Sequence, residues 1–248
     1  LVPMLVENGH DVVGMTRTQA KRDQLRQVGA TPAVADALDA DAVGQAVGEA
    51  EPDAIVHQLT AIPQKVTNMR HPERDFGPTN RLRREGTDHL LAAGRAVGVK
   101  RFVAQSNAAV YARTGGPVKA EDDPLDDDPL PGREGIAAIR HVEEAVTGAP
   151  WTDGIALRYG GFYGPGTSIS LDPPGTHVEM VRKRQVPVVG DGTGVWSFVH
   201  IEDAASATVA AVEGGPAGTY NVVDDEPALV SEWIPALAEA VGAKPPWR

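Results

Sequence analysis

The sequence predicts a doubly wound α/β fold, a parallel sheet covered by helices on both faces, and three observations point to it. Short apolar runs bounded by turn residues alternate with amphipathic helical stretches through the first 160 residues, the pattern of strands buried on both sides. The chain has 248 residues, 42% of them apolar, enough to bury a full core. No internal repeat or low-complexity tract interrupts the alternation.

Leu1, Met4 and Leu5 form an i, i+3, i+4 stripe, with Pro3 tolerated in a first turn and Gly9 placed to stop the helix. DVVGM at 11–15 reads as a strand, followed by a helix near 18–28, a short strand at 33–35, a helix near 40–49 and the strand DAIVHQL at 53–59. Then come a helix ending at Gly98, a strand at 101–106, a helix near 136–147 and the strand GIALRYG at 154–160. A last helix takes Ser231 as N-cap and Gly242 as stop, and PPWR at 245–248 reads as a cut end. In this fold class a central first strand is followed by a glycine-rich turn that seats a pyrophosphate on a helix N-terminus. No Gly-x-x-Gly-x-x-Gly precedes Leu1, so the expectation is a chain lacking that strand and loop, with strands 11–15 and 53–59 flanking a gap. The segment 114–134, with acid runs at 121–123 and 126–128, reads as a solvated loop whose spacing is not that of a calcium loop.

Composition excludes several function classes. With 23 basic and 34 acidic residues the formal charge is -11, which repels nucleic acid and anionic lipid. No apolar run is long enough to span a bilayer, so no membrane partner is expected. The absence of cysteine removes disulfides and thiolate chemistry and fits a cytoplasmic protein. The seven histidines lack ligand spacing, and no metal is assigned.

Four motifs in order, DAIVHQLTA (53–61), EGTDHLLAAGRAVGVKRFVAQSNAAVY (85–111), LRYGGFYGPG (157–166) and GDGTGVWSFVHIEDAASA (190–207), carry a family resemblance. The chain resembles the extended short-chain dehydrogenase/reductase superfamily, in particular its NAD-dependent epimerase/dehydratase branch. The resemblance implies a Rossmann fold, with an NAD(P)-binding domain over residues 1–160 and a smaller substrate lobe over 161–248 interleaved with it. It also implies a small-molecule substrate and is compatible with a homodimer. The end of the second strand offers Thr16, Arg17 and Thr18, with Lys21 and Arg22 one turn on. An Arg there pairs with a 2′-phosphate where an acid would repel it, so NADP is preferred over NAD. Asp36 resembles the family's adenine contact, with a helix-capping role as its alternative. Leu59, Thr60 and Ala61 would pass beneath the cofactor by backbone. Phe162 and Tyr163 resemble the segment beside the nicotinamide, and that glycine-rich stretch lacks the spacing of a phosphate loop.

The chemistry expected from the resemblance is altered. Counting back from Tyr111 puts Asn107 where a Ser or Thr usually contacts the reacting oxygen, with Ser106 beside it, and an Asn can still donate to a carbonyl. The family's Tyr-x-x-x-Lys pair falls on Pro131 or Gly132 and on Gly135 or Ile136, so both members are absent and the usual proton relay goes with them. Tyr111, Tyr163 and His57 are candidate replacement acids, each with a packing role as its alternative. Trp196 stands where an Arg commonly binds a sugar nucleotide's diphosphate, which argues for a smaller or more apolar substrate, or else for a lobe-packing ring. His200 and Asp203 resemble a structural pair. Arg81, Arg83 and Arg84 read as a solvated helix face. The leading reading is an NADP-preferring oxidoreductase or epimerase-like enzyme. A non-catalytic dinucleotide sensor and a lyase or dehydratase stand as rivals.

Overall fold

A computed structural model of the protein describes residues 1–62, 72–126 and 132–247. Ten strands follow in chain order: β1 (Val13–Thr16), β2 (Thr31–Val34), β3 (Ala54–His57), β4 (Arg101–Asn107), β5 (Asp153–Tyr159), β6 (Gly161–Tyr163), β7 (Val195–Trp196), β8 (Phe198–His200), β9 (Gly218–Val222) and β10 (Ala228–Leu229). The helices are α1 (Val2–Glu7), α2 (Arg22–Gln27), α3 (Ala40–Ala50), α4 (Pro72–Arg81), α5 (Thr87–Val97), α6 (Arg133–Thr147), α7 (Thr176–Arg182), α8 (Ile201–Glu213) and α9 (Val230–Ala240). A π-helical turn, Leu82–Gly86, joins α4 to α5.

The main sheet is parallel, in the order β3-β4-β5-β9, and β1 and β2 form a separate parallel pair. Strand β4 shows why the apolar runs predict burial on both faces. Phe102 and Ala104 pack with Val43 and Val47 of α3, Leu90 of α5 and Val142 and Val146 of α6, while Val103 faces Ile155, Leu157 and Ala204 on the other side. All three β4 residues are sealed from solvent, and burying Phe102 alone stabilises the fold by roughly 1.5–3 kcal/mol. Gly98 closes α5 at φ 74, the left-handed cap that glycine adopts without a Cβ penalty.

Residues after 160 contribute to both parts of the molecule. Helix α8 packs on β4 and β5, and β9 adds to the edge of the main sheet. The remainder pairs β7 with β10 and packs α7 against α9, while β6 pairs with β8 beside the end of β5. Ser231 is not the N-cap expected from the sequence: Leu229 takes that place and Ser231 lies in the first turn of α9. Gly242 does follow the helix with positive φ. Pro131, Asp127 and Asp128 lie outside the described residues. Among the described residues no helix is long and apolar enough to cross a membrane.

Candidate active site

Open parallel sheets bind ligands beyond the carboxyl ends of their strands, and Thr16, Arg17, Asp36, Leu59, Thr60, Ala61, Ser106 and Asn107 stand at or just past such ends, whereas Phe162 lies within β6 and Trp196 on the antiparallel β7–β10 pair. Arg17 follows β1 directly and is exposed, with Thr16 beside it accepting a hydrogen bond from the Thr18 amide at 3.4 Å. Asp36 follows β2 and accepts from the Leu38 amide at 3.0 Å, a local turn; Asp39 caps α3 instead, accepting from the amides of Asp41 and Ala42 at 3.1 Å. Leu59, Thr60 and Ala61 follow β3. The Leu59 amide donates to His57 Nδ1 at 3.3 Å and the Ala61 amide to Thr79 Oγ1 at 3.0 Å, which ties this loop to α4. His57 is buried, and burial together with the positive Arg83 pushes its imidazole down to about 4 against the opposing pull of the Leu82 backbone. It is therefore neutral near pH 7 and a poor proton donor.

At the end of β4 the predicted pair divides. Ser106 is buried, and its hydroxyl donates to Glu143 of α6 at 2.5 Å. Glu143 in turn receives both arms of the Arg158 guanidinium, at 2.8 and 2.7 Å. The same guanidinium donates to the Tyr111 hydroxyl at 2.7 Å and to the Glu121 carbonyl at 3.0 Å, and Tyr111 donates onward to Asn221 Oδ1 at 2.7 Å. Burial pushes the Arg158 guanidinium down, but its bonds to Glu143 and Tyr111 outweigh that and hold it above its ordinary range. Ser106 and Tyr111 thus belong to one buried ionic network joining β4, α6, β5 and β9.

Asn107 stays out of that network. Its Oδ1 accepts from the Ala109 amide at 2.7 Å, capping a short 3-10 turn. A backbone N–H can pair only with the carbonyl end of the side chain, so this bond fixes the amide and leaves its NH2 as a donor at the carboxyl end of β4.

Phe162 packs on Tyr159 at 5.4 Å, whereas Tyr163 stacks edge-on against His200 at 5.1 Å and Phe198 at 6.5 Å. Gly164, at φ 102, lets the chain pass where a Cβ would strike the His200 ring. From Phe198 the rings continue to Trp233 at 5.4 Å and Trp196 at 5.8 Å, with His177 6.4 Å from Trp196. Trp196 is 41% exposed, so one side of this cluster is open. Burial holds the His177 imidazole below its usual range.

Sequence reasoning missed Glu143 and Arg158, although signals existed. Ile139, Val142, Glu143 and Val146 share the buried face of α6, and Arg158 lies inside an apolar strand. A charge in each place calls for the other. It also misplaced Arg83, which is half-buried rather than solvated and whose guanidinium is held below its ordinary range by burial. Arg81 is exposed and Arg84 half-buried, and they pair with Glu85 and Glu134.

Residues 1–223 match the NAD dependent epimerase/dehydratase family. The 3-diazoavenalumate denitrifying reductase of Streptomyces sp is 42% identical over 248 residues, spanning 99% of this chain and 78% of the relative. The 2-alkyl-3-oxoalkanoate reductase of Stenotrophomonas maltophilia is 28% identical over 96% of the chain and 71% of its own length. The UDP-glucose 4-epimerase of Thermus thermophilus, solved with NAD, superposes with a TM-score of 0.77 at 26% identity, covering all of this chain and 80% of that one. With this match over most of its length, the chain belongs to the NAD dependent epimerase/dehydratase family.

Proposed function

We propose that the protein is a reductase that delivers hydride to an electrophilic centre of a small planar substrate without the family's usual proton relay. The observation that carries this reading is the opening turn of α6. Gly132, Gly135 and Ile136 stand where the sequence sets the tyrosine and lysine, and the nearby Ser106 and Tyr111 hydroxyls are committed to Glu143, Arg158 and Asn221. A substrate that needs no enzymic acid suits such a site. When a diazonium carbon accepts hydride, a C–H bond forms, the C–N bond breaks and its electron pair leaves with N2, so no proton is required from the protein. The 42% identical relative is named for a diazo substrate and a denitrifying reduction, which supports this class.

The residues present fit a dinucleotide. Arg17 is an exposed cation with no ion-pair partner among the described residues, placed to receive a 2′-phosphate, and this supports NADP over NAD. Asp36, Leu59, Thr60 and Ala61 line the adenine and backbone side of the same cleft, with Phe162 and Tyr163 towards its reactive end. Bound there, the dinucleotide supplies the hydride. Asn107 donates its NH2 to a polar atom of the substrate and orients it, while Trp196 and the rings behind it offer a flat apolar surface to a planar substrate. The parts of residues 161–248 other than α8 and β9 thus act as the substrate lobe.

The test is stopped-flow oxidation of NADPH by the protein with an aryl diazonium salt bearing a carboxylate, N2 release being followed in parallel. One N2 per NADPH is the expected result. Binding of NADPH with no oxidation by diazonium, ketone or aldehyde substrates would replace the reductase with a dinucleotide sensor.

A further inference from the structure

Three arginines follow one another closely on the helix between β3 and β4, and acids among the described residues pair with two of them. Arg81 forms a two-armed bridge to Glu85 at 2.7 and 2.8 Å, and Arg84 reaches Glu134 at 3.3 Å. Arg83 is half-buried and, among the described residues, its guanidinium has no acid within ion-pair distance. Arg83 follows Asn80 by three positions and Thr79 by four, the spacings at which helix side chains become neighbours. This stretch adjoins the carboxyl end of β3: Thr79 accepts from the Ala61 amide, and the Arg83 charge helps to lower the His57 imidazole. Asn80, only 3% exposed, has an Oδ1 with no hydrogen-bond partner among the described residues. A Cβ built on Gly135 of α6 would lie 4.0 Å from that oxygen and meet nothing else within 4 Å. The turn carrying Arg83 is π-helical, a local irregularity that occurs often at functional sites.

A desolvated cation without a counter-ion weakens a fold, and a buried amide oxygen without a donor does the same. The two lie three positions apart on the segment that adjoins the carboxyl end of β3, where an α/β sheet binds its ligands. The guanidinium fork matches carboxylate and phosphate oxygens, and an amide can turn either its oxygen or its NH2 towards a ligand. We propose that Arg83, with the Asn80 amide beside it, is an oxyanion anchor of the cleft that receives a carboxylate of the substrate or a phosphate of the dinucleotide. This rests on the ligand cleft described under the proposed function but not on the diazo chemistry.

Two titrations on wild type, Arg83→Gln and Arg83→Lys separate the sources: NADPH by fluorescence, and benzoate added to the NADP-saturated protein by calorimetry. Arg83→Gln should weaken one of them by about tenfold or more, with Arg83→Lys between it and wild type, since Lys keeps the charge but loses the fork. Loss of benzoate binding assigns the anchor to the substrate carboxylate, and loss of NADPH binding assigns it to a phosphate. Thermal unfolding without ligand adds a readout that a structural role would move the other way: Arg83→Gln should keep or raise Tm, because no ion pair is broken. Both titrations staying within about twofold of wild type, or a clear fall in Tm, would overturn the proposal. If diazonium turnover fails while either titration still responds to Arg83, the reductase reading falls and the anchor stands.

Discussion

Arg158 and Arg83 are both guanidiniums withdrawn from water in the same domain, and the protein treats them in opposite ways. Arg158 lies within β5 and meets Glu143, Tyr111 and the Glu121 carbonyl, so each nitrogen of its fork is answered from inside the chain. Arg83 lies on a π-helical turn at the edge of the ligand cleft and finds no acid among the described residues. The first arrangement locks β4, α6, β5 and β9 together; the second leaves a charge that no acid among the described residues answers. Buried charge in this fold therefore sorts by its partners: an internally paired group holds the scaffold, and one left without an acid beside the strand ends is the candidate for ligand contact.

That contrast breaks most readily at Glu143. Glu143→Ala should cost about 3–5 kcal/mol in urea unfolding, because it strands the Arg158 charge in the interior. Replacing both partners together, Glu143→Leu with Arg158→Met, should recover most of that loss. A single Glu143→Ala variant as stable as wild type would erase the distinction between the two arginines.

The next largest effect is on pH dependence. His57 has a folded pKa of about 4, below the ordinary 6.5, so between those values the unfolded chain binds the extra proton. Its contribution is complete above pH 6.5 and lost as pH falls towards 4, about 3 kcal/mol in all. Arg83→Gln removes the neighbouring charge and should shift the His57 titration upward, read by NMR, and shrink the loss. An unchanged His57 titration in that variant would place Arg83 away from the end of β3.

Asn107→Asp keeps the oxygen that caps the 3-10 turn but removes the NH2 donor. Stability should hold while kcat/KM falls by about 10²-fold, in the range for loss of one preorganised donor. Equal activity would leave Asn107 as a turn cap only. The smallest effect is at the edge of the cleft, where Arg17→Ala should weaken NADP about tenfold relative to NAD. Equal weakening of both would remove the 2′-phosphate role.

Much of the scaffold was legible because its signals are local. The apolar runs at 101–106 and 154–160 became β4 and β5 within one residue at each end, and Gly9, Gly98 and Gly242 all adopt the positive φ expected of helix stops. The site was legible mainly as a set of strand ends. Asn107 and Ser106 are neighbours in sequence, yet the alternation of a strand sends them to different environments, one capping a turn at the strand end and one into the core. Nothing local distinguishes Arg83 from Arg81 and Arg84 either, since their pairing depends on Glu85 one turn away and on Glu134 across a helix interface.

The α/β class, the positions of the main strand ends and the lack of cysteine chemistry can all be read from the chain alone. These follow from periodicity, turn residues and composition, which act over a few positions of chain. Which charges are answered emerges once the chain is folded. Glu143 and Arg158 are 15 positions apart, and Tyr111 and Asn221 are 110 apart. An ion pair depends on separation in space and on exclusion of water, and neither is encoded by spacing along the chain.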